Sequence, residues 1–289
     1  MLTPLAAALP AAPATAFLGP LAAHAFLRYA LLGGLLVAIP CGLVGSYVVI
    51  RRISYIAGAI SHSVLAGLGL VQYLRVVHGL TWLSPLLGAA VAALLSALVI
   101  GWVSLRLRQR EDTVIGAVWA VGMAAGIVLI SLTPGYAADL MSYLFGNILM
   151  LTPRDLWLIG ALGVVVVAVV TLFHKQLLAV CFDDEFASLR GVRTARYHFL
   201  LLGLTALTVV VLVSVVGIIM VIALLTLPAA TANHLTRRLS HMMIVAALLC
   251  ALLTGAGLAL SYGPDLPAGA VTILLTGALY FATALVRRR

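Results

Sequence analysis

Charged side chains are scarce in this sequence and make up only 9% of its 289 residues, against roughly 25% in an average soluble domain. Eight residues are acidic, and lysine occurs once, at Lys175. Because hydrophobic residues account for 64% of the chain, so few charges cannot cover a water-facing surface of this size. The composition excludes a secreted disulfide-rich domain, a nucleic-acid binder and a disordered tail.

Cysteine and catalytic motifs are also sparse. Cys41, Cys181 and Cys250 are scattered, with an odd count and no C-x-x-C pair, so neither a disulfide framework nor a sulfur-rich metal site is indicated. The sequence has no G-x-x-x-x-G-K-[ST] loop, no G-x-S-x-G elbow and no H-E-x-x-H run, which are motifs of nucleotide binding and of hydrolytic catalysis. We therefore expect that the chain is not an enzyme.

Long uncharged runs take the place of these features. Three of them extend from Thr113 to Ala138, from Leu156 to Phe173 and from Tyr197 to Thr236. Each run is near or above the roughly 20 apolar residues that a helix needs to cross a bilayer. The runs predict an all-α, polytopic membrane protein.

Basic residues indicate how the chain crosses the membrane. Fourteen of the 17 lie in five clusters where apolar runs stop, as the preference for positive cytoplasmic loops predicts. If all five are cytoplasmic, the spans alternate and give nine crossings, with the N-terminus outside and the C-terminus inside. The clusters are Arg51-Arg52, Arg106 with Arg108 and Arg110, Lys175 with Arg190, Arg193 and Arg196, Arg237-Arg238, and Arg287 to Arg289. The predicted spans are 24–50, 53–73, 85–105, 113–132, 156–174, 197–214, 218–235, 241–261 and 269–286.

Two segments do not fit a simple crossing. Residues 140–151 are apolar but number only 12, which is about 18 Å of helix and too short to cross. We expect a re-entrant or interfacial helix there, on the outer face between Pro134-Gly135 and Pro153. Residues 1–23 are rich in Ala and Pro and have no basic residue before the apolar stretch. They are expected to form a loose or interfacial lead to a transmembrane domain at 24–289.

Five stretches resemble the metal-ion permease family of bacterial ABC importers, and above all its zinc-uptake permeases. The resemblance implies a homodimer in the bacterial inner membrane that imports zinc, manganese or iron(II) and has no permanently bound cofactor. It also implies two partners, a cytoplasmic ABC ATPase and an extracytoplasmic metal-binding protein. Because this chain has no nucleotide-binding loop, ATP hydrolysis is expected in the separate ATPase subunit. The stretches are CGLVGSYVVIRRISYIAGAISHSVLAGLG at 41–69, DLMSYLFGNILMLTPRDL at 139–156, FDDEFASLRGV at 182–192, VGIIMVIALLTLPAATA at 216–232 and PAGAVTILLTGALYF at 267–281.

The loop at 183–191 is predicted to contain a short docking helix. It begins with acidic residues and ends with basic ones, which suits the helix dipole. Phe186, Leu189 and Arg190 share one face at spacings of three and four. By resemblance, the segment is similar to the coupling helix that docks into the ATPase, and an ordinary solvated connector is the alternative. The predicted coupling residues are Asp184, Glu185, Ala187, Leu189 and Gly191.

His62 is the candidate contact for the transported metal. It lies ten residues after Arg52, about 15 Å along a helix and therefore near the bilayer midplane. A titratable group at this depth normally faces a bundle interior or an aqueous path, and imidazole suits zinc, manganese and iron(II). In the resembled family, position 58 usually holds an aspartate that faces this histidine, whereas Gly58 stands here. Ser61 and Ser63 are weaker candidates, and hydrogen bonding between helices is the alternative role of His62.

Asp139, Asn147 and Asp265 are predicted to lie on the outer side. There they would form an outer gate or meet the binding protein, although ordinary loop polarity would also explain them. The leading hypothesis is a permease subunit for divalent metal ions, with zinc first. Its rivals are a permease for iron chelates or a cobalamin-like ligand, and a stand-alone secondary carrier or embedded enzyme.

Overall fold

The computed structural model of the protein describes residues 19–106, 111–134, 146, 148–264 and 266–287. Within these ranges the chain is helical and has no β-strand. Nine of the described helices are long and apolar enough to span a bilayer, which confirms the predicted all-α, polytopic class. The helices are α1 Ala25–Ile50, α2 Ser54–Val77, α3 Pro85–Arg106, α4 Glu111–Ser131, α5 Pro153–Leu172, α6 His174–Phe182, α7 Asp184–Leu189, α8 Thr194–Val216, α9 Ile218–Leu235, α10 Leu239–Tyr262 and α11 Ala268–Arg287.

The predicted spans agree with the nine long helices to within four residues at every end. The largest differences are at the end of α2 and at the starts of α5 and α8. Helix α2 was expected to end at residue 73, ahead of Arg75, but it continues to Val77. The prediction stopped before Arg75 because a charged residue marks the edge of the apolar region. The helix itself continues beyond that edge to Val77. Helix α5 begins at Pro153 rather than 156, because Thr152 and Asp155 form a capping box at its start.

Helices α1, α2 and α8 form the centre of the bundle, and α4, α5 and α11 expose most of their surface. The exposed surface is apolar, as Trp157 and Leu274 illustrate, which is expected of a chain surrounded by lipid. Inside the bundle, helices approach to backbone contact at glycines. A Cβ atom on Gly45 would lie 2.2 Å from the Leu225 carbonyl oxygen. Such small-residue contacts permit the van der Waals packing that holds membrane helices together.

Helices α8 and α9 are joined by the single residue Gly217, whose φ of 78° and ψ of 167° are accessible essentially to glycine alone. Gly146 packs on this join, since a Cβ there would lie 2.3 Å from the carbonyl carbon of Val216. Ile148–Met150 form a short 3-10 turn. Most of the predicted re-entrant helix at 140–151, namely residues 140–145 and 147, lies outside the described residues.

Three of the predicted cytoplasmic clusters meet at one end of the bundle. A cavity of about 330 Å³ is lined by Arg52, Phe182, Arg237 and Arg238, among other residues. The α1–α2 turn carries Arg52 in the left-handed region, with φ of 61°, and the Ile53 N–H donates to the Val48 carbonyl, as in a Schellman motif. The clusters at 51–52, 175–196 and 237–238 therefore lie on the same side, as the topology prediction requires.

Candidate metal path and coupling helix

His62 lies on the part of α2 that faces α4 and α9. Its Nδ1 atom is 2.9 Å from the carbonyl oxygen of Gly58. A carbonyl oxygen only accepts hydrogen bonds, so this contact assigns the proton of the neutral ring to Nδ1. The Nε2 atom then keeps its lone pair, which is the form in which imidazole binds a metal ion. Donation of the other ring N–H to a backbone carbonyl is also the usual arrangement around metal-binding histidines.

Trp119 of α4 stacks on the His62 ring. The ring centroids are 4.3 Å apart, and the planes differ by 25°. A Cβ atom on Gly58 would lie 2.7 Å from Cζ3 of Trp119 and 3.4 Å from Cδ1 of Ile222 in α9. The space next to His62 that a side chain at position 58 would occupy is therefore filled by the indole ring.

Trp119 was not among the residues predicted from the sequence. A signal was available, because Trp119 lies eight residues after Glu111, where α4 begins, which is about 12 Å along the helix. That depth is similar to the depth of His62 along α2. Depth alone did not identify Trp119, because the sequence does not show which face of α4 packs against α2.

The two serines that flank His62 do not share its environment. The Ser61 hydroxyl donates to the Ala57 carbonyl at 2.7 Å, and the Ser63 hydroxyl donates to the Ala59 carbonyl at 2.7 Å. The Ser63 hydroxyl also lies 3.2 Å from the Val118 carbonyl of α4. Adjacent residues on a helix point about 100° apart, so these hydroxyls are directed away from the His62 ring. Within the described ranges, no three His, Cys, Asp or Glu side chains come together to hold a metal ion.

The predicted docking helix is α7, and its first turn is anchored on both sides. The Asp183 carboxylate caps the helix by accepting the Phe186 N–H at 2.9 Å. Asp184 forms a salt bridge with Arg51 at the end of α1. The Arg51 guanidinium also donates to the Val180 carbonyl at 2.6 Å. The α6–α7 segment is thus fastened to the first helix of the bundle.

A second contact between the same parts of the chain involves a buried tyrosine. Tyr47 of α1 is fully buried, and its hydroxyl lies 2.7 Å from Nδ1 of His174 at the start of α6. Within α6, burial raises the pKa of the Cys181 thiol to about 11, with the nearby Arg51 lowering it and Asp184 raising it. The thiol is therefore protonated at neutral pH, which is not the form that binds metals.

The five predicted coupling residues divide between two faces of this segment. Glu185 and Leu189 are exposed, and Leu189 is 87% accessible. Ala187, by contrast, is 1% accessible, and Asp184 is directed toward α1. Gly191 adopts φ of 79° and ends the helix in a turn.

The predicted outer residues Asp139, Asn147 and Asp265 lie outside the described residues. Near them along the chain, a cavity of about 220 Å³ is lined by Gly146, Met220 and Thr254, among other residues. It lies where the α8–α9 join meets the segment before α11. The structure therefore provides a hollow at this end of the bundle, and its relation to the three polar residues stays a prediction.

Comparison with known proteins identifies the family. The model of the ABC 3 transport family matches residues 23–287. The chain belongs to this family. It is 39% identical to a probable metal transport system membrane protein of Chlamydia trachomatis, over 87% of this chain and 85% of that protein. It is 35% identical to the manganese transport system membrane protein MntC of Halalkalibacterium halodurans, over 92% of this chain and 89% of that protein.

A solved structure supports the same assignment. The structure described as PsaBC from Streptococcus pneumoniae in complex with Fab contains a chain that superposes with a TM-score of 0.82 at 31% identity. The superposition covers 93% of this chain and 94% of that chain. Together with the nine long apolar helices, these matches make the protein the multi-pass permease subunit of an ABC metal transport system, as the sequence predicted. They do not single out zinc as the transported metal.

Proposed function

We propose that this permease moves zinc ions along a path that His62 contacts at mid-membrane. The observation that carries the proposal is the His62 ring, whose Nδ1 lies 2.9 Å from the Gly58 carbonyl oxygen, so that in the neutral ring the lone pair is on Nε2. Neutral imidazole nitrogen is a preferred zinc ligand. Helix α2 contains no acidic residue, so this nitrogen has no carboxylate on its own helix to accompany it.

A single imidazole ligand is better suited to a transport path than to a permanent zinc site. Permanent zinc sites use four protein ligands, whereas conduction requires a site strong enough to admit the ion and weak enough to release it. His62 is half-buried, so its ring is partly accessible within the chain. In the proposed assembly the path runs between two copies of this chain, and the metal arrives on an extracytoplasmic binding protein.

The proposed energy source is a cytoplasmic ATPase subunit that docks on α7. Leu189 is 87% and Phe186 53% exposed on this short helix, which lies outside the bilayer-spanning segments. Exposed apolar residues outside the bilayer mark protein–protein contacts. Because Asp184 forms a salt bridge with Arg51, a displacement of α7 by the ATPase would be transmitted to the end of α1.

Manganese is the second candidate, because the curated relatives at 34–36% identity include proteins named as manganese transporters. Manganese prefers carboxylate, carbonyl and water ligands over an isolated imidazole. The surroundings of His62 therefore favour zinc, whereas the names of the relatives favour manganese. Uptake measurements distinguish the two.

The deciding experiment measures cellular zinc, manganese and iron in bacteria that express the permease with its ATPase and binding protein. We expect zinc accumulation to require the permease and to fall strongly with His62→Ala. The control His78→Ala lies at the end of the same helix, where the side chain is exposed, and should transport normally. The amount of each variant in the membrane is measured in parallel. Normal transport by His62→Ala would refute the proposed contact.

The same assay tests the rival functions. A permease for iron chelates would accumulate iron only when the chelate is supplied, and His62→Ala would leave that uptake unchanged. A stand-alone carrier would transport metal without the ATPase subunit. Either result would overturn the proposal.

A further inference from the structure

We propose that Trp119 determines metal selectivity by occupying the place of a side chain at position 58. The proposal rests on the proposed function, in which His62 contacts the passing ion. Trp119 and Gly58 then act as a pair, in which the indole ring requires glycine and the glycine admits the ring. The result is an aromatic wall beside the His62 imidazole.

The steric part of the argument follows from the distances. A Cβ atom at position 58 would lie 2.7 Å from Cζ3 and 3.1 Å from Cη2 of Trp119, both shorter than a van der Waals contact. Moving α2 and α4 apart to relieve the collision would break their close packing farther along, where they meet at backbone level. A Cβ on Gly122 would lie 2.7 Å from the Ser63 Cα, and one on Gly126 would lie 2.6 Å from the Leu65 carbonyl carbon.

The chemical part concerns which ligands the ion meets at this depth. The stacked indole and the hydrogen bond to Gly58 hold the imidazole from two directions, which restricts the orientation of Nε2. An indole offers a donor N–H and a π-face but no lone pair for a metal ion. At a nitrogen-only site, affinity for manganese is lower than for iron(II) or zinc. An aromatic wall in place of a carboxylate therefore favours zinc over manganese.

A purely structural role for Trp119 makes a different prediction. If the ring only fills space between α2 and α4, its removal would lower the amount of folded protein and affect the uptake of all metals equally. If it determines selectivity, the ratio of manganese to zinc uptake would change. The ratio is therefore the informative measurement, and the amount of protein is the control.

The experiment compares the wild type, Gly58→Asp, Trp119→Ala and the double variant in cells with the ATPase and the binding protein. Gly58→Asp alone should lower the amount of folded permease, or the uptake of both metals, by roughly five- to a hundredfold because of overpacking. The double variant should regain folded protein and raise the manganese-to-zinc ratio roughly tenfold over the wild type, since it adds a hard carboxylate ligand. Trp119→Ala alone should raise the ratio less.

Controls separate the failure of this proposal from the failure of the proposed function. Trp102→Ala removes a tryptophan that is 54% exposed on α3 and should leave the ratio unchanged. If His62→Ala lowers uptake but the double variant keeps the wild-type ratio, Trp119 does not determine selectivity. If Gly58→Asp alone folds and transports as well as the double variant, the steric pairing is wrong. If His62→Ala transports normally, the proposed function fails, and the selectivity role fails with it.

Discussion

Replacing Arg51 with methionine should weaken the attachment of the α6–α7 segment to α1. Methionine keeps most of the apolar stem of arginine and removes the guanidinium. Two contacts are lost, the hydrogen bond to the Val180 carbonyl at 2.6 Å and the salt bridge to Asp184. The matched control is Arg52→Met, because Arg52 is the neighbouring arginine and is exposed.

The size of the effect follows from the exposure of the groups. The Arg51 and Asp184 side chains are 21% and 43% accessible, so solvent screens their attraction, which should contribute about 0.2–1 kcal/mol. A hydrogen bond from a charged donor to a carbonyl contributes about 1.5–3 kcal/mol. Arg51→Met should therefore lower the free energy of unfolding by roughly 2–4 kcal/mol. Asp184→Asn should cost no more than about 1 kcal/mol, and Arg52→Met less than about 0.5 kcal/mol.

The assay is chemical denaturation of the purified permease in detergent micelles, with ATPase stimulation in proteoliposomes as the functional measurement. The double variant Arg51→Met/Asp184→Asn is measured as well. The difference between its loss of unfolding free energy and the sum of the two single losses gives the contribution of the ion pair. We expect Arg51→Met to lower the free energy of unfolding much more than Asp184→Asn does. Both variants should couple ATP hydrolysis to transport more weakly than the wild type. Equal costs for the Arg51 and Asp184 variants would show that the Val180 contact contributes nothing. A cost for Arg52→Met as large as for Arg51→Met would refute the reasoning altogether.

Three further predictions concern other positions. Ala187→Asp places a charge at a residue that is 1% accessible and should reduce the amount of folded permease. Leu189→Asp changes an exposed residue of the same helix, so it should leave folding intact and abolish co-purification of the ATPase. Gly217→Ala should cost about 1–3 kcal/mol in the free energy of unfolding because of its backbone conformation, while Gly203→Ala, in open space within α8, should be neutral or stabilising. Because Cys181 is buried and burial raises the pKa of its thiol to about 11, its maleimide labelling at pH 7 should be much slower than that of a cysteine introduced at position 189. Fast labelling of native Cys181 at pH 7 would contradict its burial.

The membrane spans were predictable because one physical constraint dominates them. A segment that crosses lipid must be apolar over about 20 residues, and charges must lie near its ends. Both properties are local in sequence, so α1 and α9 were located to within one residue of their observed bounds. The end of α2 was placed too early because Arg75 lies within the helix rather than after it.

Contacts between helices were less accessible to sequence reasoning. The position of His62 along α2 was predictable from its distance to Arg52, but the stacking of Trp119 depends on the rotation of α4 against α2. That rotation is determined by backbone contacts at Gly122 and Gly126. Their four-residue spacing marks a packing face of α4, but it does not identify α2 as the helix that packs there. In the same way, Asp184 was placed on the docking surface with Glu185. The structure directs it toward Arg51, a residue 133 positions earlier in the chain.

This separation along the chain has a consequence for biosynthesis. Asp184 is synthesised 133 residues after Arg51. At about 5–20 residues per second, the C-terminal end of α1 is therefore without its ionic partner for roughly 7–27 s. During that interval the guanidinium is available to lipid phosphates and to the insertion machinery. A truncated chain that stops before residue 184 never forms the pair, so the Arg51–Asp184 contact marks a nascent permease in which α1 and the start of α7 have both been made.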